Sequence, residues 1–152
     1  MKKETIILGS DHAAFKLKEY VKNILLKKNY KVHDMGAYDE DSVDYPDFAE
    51  KAALKVSRGK NFRGILSCGT GIGMTICANK IPGIRAALVK TPFEAQMSRE
   101  HNDSNILVLG GRPFNKSIVS RILDVWLNTK FSGGRHARRV NKIKRLEKKY
   151  LK

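Results

Sequence analysis

The sequence predicts an α/β protein with a parallel sheet and helices on both of its faces. Three observations carry that expectation. Short runs of β-branched and aliphatic residues alternate with longer stretches whose apolar residues recur at helical spacing. Polar or glycine-rich segments separate the two. The residues able to do chemistry gather at strand ends, and open parallel sheets bind ligands at the carboxyl ends of their strands.

The elements follow in order. Residues 5–9, TIILG, form a first buried strand. Residues 13–28 carry Phe15, Leu17, Val21, Ile24 and Leu25 at helical spacing. Residues 31–33 are a weak second strand, and the polar, acidic stretch 35–45 is a loop. Pro46 suits the first turn of a helix ending near Arg58, because a helix start leaves that N–H unpaired anyway. Residues 64–67, GILS, are the third strand; a glycine loop and a helix over 73–79 come next. Ile81-Pro82-Gly83 is a turn, and 86–89 is the fourth strand. Thr91-Pro92-Phe93-Glu94 has the form of a capping box with proline at the first helical position. Residues 105–109 make the fifth strand. Residues 115–129 make an amphipathic helix carrying Ile118, Ile122, Val125 and Trp126. After a break at 131–134, residues 135–152 read as a final, strongly basic helix.

Composition bounds the function. A chain of 152 residues fits one domain, here 1–152, and 41% hydrophobic residues permit a sizeable core. No run approaches the roughly 20 apolar residues that span a bilayer. The opening MKKETIILGSDH has an apolar run too short for a signal-peptide core, so the expected location is the cytoplasm, away from membranes. Cys68 and Cys77 form no CxxC, which argues against a disulfide framework or a zinc site. The net charge of +15 predicts attraction to anions: phosphorylated metabolites, nucleic acid or acidic surfaces. Nine Lys or Arg against one Glu between 135 and 152 supply about half of it.

The stretch SCGTGIG, residues 67–73, is the most pointed motif. A dinucleotide fingerprint needs GxGxxG after a first strand with an acid about 20 residues on, and a P-loop needs GxxxxGK and then Ser or Thr. Neither pattern is present. What remains is a run of backbone N–H groups at a helix start, suited to an anion or a developing oxyanion. Cys68 at its mouth is either a nucleophile or proton acceptor, or a small buried apolar residue. Cys77, among Ile76 and Ala78, reads as structural, as does His33. Asp11 and His12 follow the first strand and suit anion contact; the alternative is a helix cap made by Asp11 with His12 exposed. His101-Asn102-Asp103 precedes the fifth strand and Gly110-Gly111-Arg112 follows it. The expectation is that these strand-end groups converge on one edge. Arg135 and Arg139, four residues apart, share a helix face and suit phosphate, or form a solvated basic face.

The motifs GSDHAAFKLK, DYP at 44–46, ILSCGTGIGMTICANKIPGIRAAL, SREHNDSNILVLGGR and GGRHARRV occur in this order along nearly the whole chain. With them the sequence resembles the ribose/galactose phosphate sugar isomerase family, and within it the B-type ribose-5-phosphate isomerases. The resemblance implies a Rossmann-like three-layer sandwich with a five-stranded parallel sheet. It implies homodimers with shared active sites, often tetramers, with the C-terminal helix extending to the partner subunit. It implies interconversion of ribose 5-phosphate and ribulose 5-phosphate with no metal or organic cofactor. Carried over residue by residue, Cys68 takes the proton from C2 of the sugar, and Gly69, Thr70, Gly71, Ile72 and Gly73 hold the enediolate oxygen. Asp11 attends the sugar hydroxyls. His101 opens the furanose ring and Asn102 contacts the sugar. His12, Arg135 and Arg139 take the phosphate, and Arg112 is a further substrate contact. The resemblance has the partner subunit supply His101, Asn102 and Arg112. The HND turn and GGRHARR favour the ribose enzymes over the galactose 6-phosphate branch. An isomerase of allose or galactose 6-phosphate is the nearest alternative. A nucleic-acid binder using residues 135–152 is a different class; it leaves the strand-end Cys, His and Asp unexplained, with no aromatic stacking platform beside the tail.

Overall fold

A computed structural model of the chain describes residues 4–151. The strands are β1 (Thr5–Ser10), β2 (Lys31–Asp34), β3 (Phe62–Cys68), β4 (Ala86–Leu88) and β5 (Ile106–Gly110). They form one sheet in the order β2-β1-β3-β5-β4, with every neighbouring pair parallel. The helices are α1 (Phe15–Lys27), α2 (Tyr45–Arg58), α3 (Ile72–Ala78), α4 (Pro92–Glu100), α5 (Lys116–Asn128) and α6 (Arg135–Tyr150). The expected α/β sandwich is therefore present, with boundaries within two residues of the expected ones. The basic pair Lys2-Lys3 and the expected last helical residue, Lys152, lie outside the described residues. Among the described residues no helix is long and apolar enough to cross a membrane.

The pleat of β1 divides the core. Ile6 and Leu8 turn to one face and Ile7 to the other, since successive strand side chains alternate. On the first face they meet Leu17, Val21 and Leu25 of α1 and Val119, Ile122 and Trp126 of α5. On the second, Ile7 meets Ala49, Ala52 and Ala53 of α2 and Met74 and Ala78 of α3. The small residues of α2 let it lie close over the sheet.

Local chemistry sets the helix starts. Asp11 Oδ1 accepts from the N–H of Ala14 at 3.1 Å, so a short 3-10 turn precedes α1, which begins later than its periodicity implies. At α4 the capping box forms: Thr91 Oγ1 accepts from the Glu94 N–H at 3.1 Å. The Glu94 carboxylate reaches back to the N–H of Lys90, one residue before the cap. The helix α6 stands apart, with only Val140 buried and Ile143, Leu146 and Tyr150 exposed along one side.

A buried charge network ties the β2 end to α1. The Lys18 ammonium, 1% exposed, meets both oxygens of Asp34 at 2.8 and 2.7 Å, and Lys22 meets one of them at 3.0 Å. The Gly36 N–H adds a fourth contact to Asp34 at 2.9 Å. Burial pushes the Asp34 carboxyl upward, but hydrogen bonds from Lys18, Gly36 and Lys22 outweigh it and hold the group below its ordinary 3.8. Stability from this carboxylate is thus complete above that ordinary value and is lost as pH falls through the lower folded value. Asp34→Asn leaves the buried Lys18 with only the half-exposed Glu19 carboxylate at 3.1 Å, and is expected to cost up to about 3 kcal/mol at neutral pH, the low end for a broken buried pair. Denaturant unfolding measured from pH 7 to pH 3 should show the variant's deficit shrinking below about pH 4. A deficit constant across that range means that the ion pair contributes nothing.

Candidate active site

The strands β1 and β3 are neighbours whose following helices leave to opposite faces, α1 to one and α3 to the other. Such a divergence opens a crevice at the carboxyl edge of a parallel sheet. Asp11, 6% exposed, sits there with its N–H on the Ser67 carbonyl at 3.3 Å. One of its oxygens caps the 3-10 turn, so Asp11 combines the cap role with a place in the crevice. Next to it, His12 Nδ1 accepts from the Val43 N–H at 3.1 Å. The neutral ring therefore carries its proton on Nε2. Val43 is held in turn by the loop after β2, which is pinned to β1 by Ser10 N–H to Gly36 carbonyl and Ala37 N–H to Ser10 carbonyl, both 2.7 Å.

Cys68 ends β3, and its Sγ accepts from the Gly71 N–H at 3.2 Å. The Ile72 N–H turns to Thr70 Oγ1 at 3.2 Å. Two N–H groups of the glycine loop are thus used inside it. Among the described residues nothing accepts from the N–H groups of Gly69 and Thr70. Gly71 has φ +81, and a Cβ there would lie 2.5 Å from Leu88 and 3.1 Å from the Leu109 carbonyl oxygen. A Cβ on Gly73 would lie 2.6 Å from the Tyr45 ring. Tyr45, the first residue of α2, therefore packs against Gly73. The sequence shows it only as the centre of DYP, and its packing on a glycine 28 positions later has no periodic signal. Arg112 is exposed at this same edge, its N–H on the Gly69 carbonyl at 3.0 Å. With Gly69, Thr70, Lys90 and Ile118 it lines a cavity of about 690 Å³ on the β5 side of the loop. Cys77 is half-buried against the α2–α3 core, where a structural thiol belongs.

A second cluster lies elsewhere. His101 caps the end of α4, and its ring stacks on His136 of α6 at 4.1 Å with 9° between planes. The Ser132 N–H meets the Glu100 carbonyl at 3.1 Å and brings the start of α6, with exposed Arg135 and Arg139, to the same place. Partial burial lowers the affinity of His136 for a proton; His101, Arg135 and Arg139 lower it further, against Glu100. In the sequence His136 stands within GGRHARR, with no assigned role of its own. It sits among basic residues, and the stacking partner is 35 positions away.

The expectation that all these groups converge on one edge of one chain is corrected here. The register pairs Gly64 with Ile106 and Cys68 with Gly110. Asp11, His12, Cys68, the loop and Arg112 follow strands and lie at the carboxyl edge. His101 and Asn102 precede β5 and lie at the amino edge, with Arg135 and Arg139. Four strand steps of about 3.3 Å put roughly 13 Å of sheet between the two edges. Arg112 also parts company with His101 and Asn102, with which the resemblance groups it.

A family model described as Ribose/Galactose Isomerase matches residues 6–143. The curated relative ribose-5-phosphate isomerase B of Escherichia coli (strain K12) is 42% identical over 144 residues, covering 95% of this chain and 97% of its own. The solved ribose-5-phosphate isomerase B of Clostridium thermocellum superposes with a TM-score of 0.94 at 51% identity, covering 96% of this chain and 99% of that one. The enzyme of the same name from Mycoplasma genitalium, solved with bound ribulose-5-phosphate, gives 0.90 at 41% identity, covering 95% and 96%.

The loop geometry makes its own prediction. Gly71→Ala is expected to destabilise the fold by about 1–3 kcal/mol through the positive φ alone, and to abolish activity. Equilibrium unfolding and turnover of the purified variant check both; near-wild-type stability removes the argument for a strained loop.

Proposed function

The chain belongs to the ribose/galactose isomerase family and is an aldose–ketose isomerase, and we propose that it interconverts ribose 5-phosphate and ribulose 5-phosphate in a site built from two copies of itself. One observation carries the second half of the proposal: Cys68 and His101 lie at opposite edges of one sheet. A reaction that uses both needs the amino-edge cluster of one protomer against the carboxyl-edge crevice of another. The C-terminal helix α6, with its exposed apolar side, is the element we assign to that contact.

The chemistry divides between the two half-sites. At the amino edge, His101 moves the proton that opens the furanose ring, and Asn102 holds the sugar. Arg135 and Arg139 take the phosphate, a handle remote from the reacting carbons. At the carboxyl edge, Cys68 as thiolate removes the proton from C2, and the pair of electrons moves to give the enediolate. The free N–H groups of Gly69 and Thr70 suit its developing oxyanion. Asp11 attends the hydroxyl protons between O1 and O2, and its remaining oxygen is available for this. His12 presents Nε2–H as a donor. Return of the proton to C1 completes the shift. Arg112, beside the loop, is placed with the Cys68 half-site. The whole chain acts as one sugar-phosphate isomerase domain.

Two measurements test this. Ribose 5-phosphate turnover by wild type and by Cys68→Ala comes first: activity in the wild type and near-total loss in the folded variant are expected. An inactive wild type moves the substrate to hexose 6-phosphates, and an active Cys68→Ala places the base elsewhere. Mixing Cys68→Ala with His101→Ala under conditions that exchange subunits tests the shared site. Random dimers restore about a quarter of the wild-type sites, because each mixed dimer holds one site free of both substitutions. A mixture as inactive as its parts places a complete site within one chain.

A further inference from the structure

The turn that carries His101 and Asn102 is held by more groups than its own hydrogen bonds require. Asp103 adopts φ +46, a left-handed conformation that disrupts continuation of α4. Its carboxylate is gripped from two sides: Arg99 reaches Oδ1 at 3.0 Å and Arg85 reaches Oδ2 at 3.2 Å. The Arg85 guanidinium also takes main-chain carbonyls, Asn102 at 3.0 Å from Nε and Asp103 at 2.9 Å from Nη2. Arg85 is itself pinned: its N–H donates to Asn105 Oδ1 at 2.7 Å, and its carbonyl accepts from the Asn105 N–H at 3.1 Å. Behind Arg99, Ser104 joins Ser98 at 3.1 Å and the indole N–H of Trp126 at 2.9 Å. The side chains of Arg85 and Arg99 are 16% and 12% exposed, so these bonds are poorly shared with water.

The two arginines are not equivalent. Arg99 lies on α4 itself and bonds Asp103, Ser104 and Thr129, which closes the helix onto the core. Arg85 comes from the loop before β4, 16 residues earlier than His101, and its guanidinium bonds the carbonyls of the two residues that follow His101. A planar fork that takes two successive carbonyls and a carboxylate fixes peptide orientation, which one ammonium point charge does not. From this geometry we infer that Arg85 is a positioning residue that sets the aim of His101 and Asn102 toward the substrate. The inference rests on the proposed ring-opening role of His101.

The substrates supply a readout that a purely structural role does not move. Ribose 5-phosphate is a ring in solution and must be opened. Ribulose 5-phosphate has no free 5-hydroxyl to close a furanose, so it enters as the open chain. Misaiming His101 therefore slows turnover of the ribose substrate selectively, whereas misplacing Asn102 weakens binding of both. Arg85→Gln is expected to lower kcat for ribose 5-phosphate on the order of 10- to 100-fold, the scale of a misplacement near 1 Å. Its kcat for ribulose 5-phosphate should stay within a few-fold of wild type, while the KM for ribulose 5-phosphate rises relative to that for ribose 5-phosphate by the factor that the ribose kcat loses, because the equilibrium constant is unchanged. Arg85→Lys, which keeps charge without the fork, should fall between the two and guards against a Gln variant that fails to fold. Equal losses of kcat in both directions, or none, in the folded variant overturn the assignment. His101→Ala measured alongside separates the premise: a loss equal in both directions removes the ring-opening role and the Arg85 assignment with it.

Discussion

All five strands of the sheet run the same way, and that single fact governs where chemistry can occur in this protein. Groups that follow a strand fall on the carboxyl edge, and groups that precede one fall on the amino edge. The thiol, the glycine loop, Asp11 and His12 belong to the first set; the stacked histidines and the Arg135–Arg139 pair belong to the second. No loop rearrangement of a few ångströms joins sets separated by roughly the length of a four-step strand. In the proposed two-chain site a second copy resolves the conflict without deforming the fold, and a two-fold axis makes both sites at once. Dimerisation in this reading is a requirement of the catalytic geometry, and any stabilising effect comes in addition.

Each half-site is supported by charge buried behind it. Behind the crevice, Lys18, Lys22 and Asp34 fasten the β2 end to α1, and Asp34 holds the Gly36 N–H. Gly36 and Ala37 then bond Ser10, one residue before Asp11, and the same loop reaches Val43, whose N–H fixes the His12 ring. Behind the amino-edge cluster, Arg85, Arg99 and Asp103 do the corresponding work for the His101 turn. In both places a carboxylate is shared by two cations. Losing either carboxylate therefore removes a countercharge from two cations at once, which makes these clusters strict about side-chain identity.

The fold was legible in the sequence because its signals are local. The apolar runs at β1, β3 and β5, the capping box at Thr91 and the spacing in α5 all report on residues a few positions apart. The half-turn shift at α1 was a short-range competition: Asp11 caps a 3-10 turn before the periodic helix begins. The candidate residues were also legible, one strand end at a time. Their division between two edges was not, because it depends on whether a residue enters or leaves a strand, and proximity in the sequence to a strand gives the same reading for both. Arg112 shows this well. It lies eleven residues from His101 with β5 between them, and the strand carries it to the other edge. The His101–His136 stack and the Tyr45–Gly73 contact have no sequence signal for a related reason. They join segments 35 and 28 residues apart, where no periodicity connects them.

The excess charge of the C-terminal segment acquires meaning at its first turn. Partial burial, then His101, Arg135 and Arg139, lower the affinity of His136 for a proton, and the remaining cations of α6 extend a positive field along the helix. A phosphate dianion is drawn toward such a field, more strongly at low ionic strength. Its arrival beside the two arginines offsets the charges that disfavour protonated His136. If Arg135 and Arg139 take the phosphate as proposed, binding and the proton affinity of His136 are linked: a phosphate there moves His136 back toward the cationic form, and raising pH weakens that part of the attraction. In that proposal the arginines next to the histidine couple the handle of the substrate to the charge of His136.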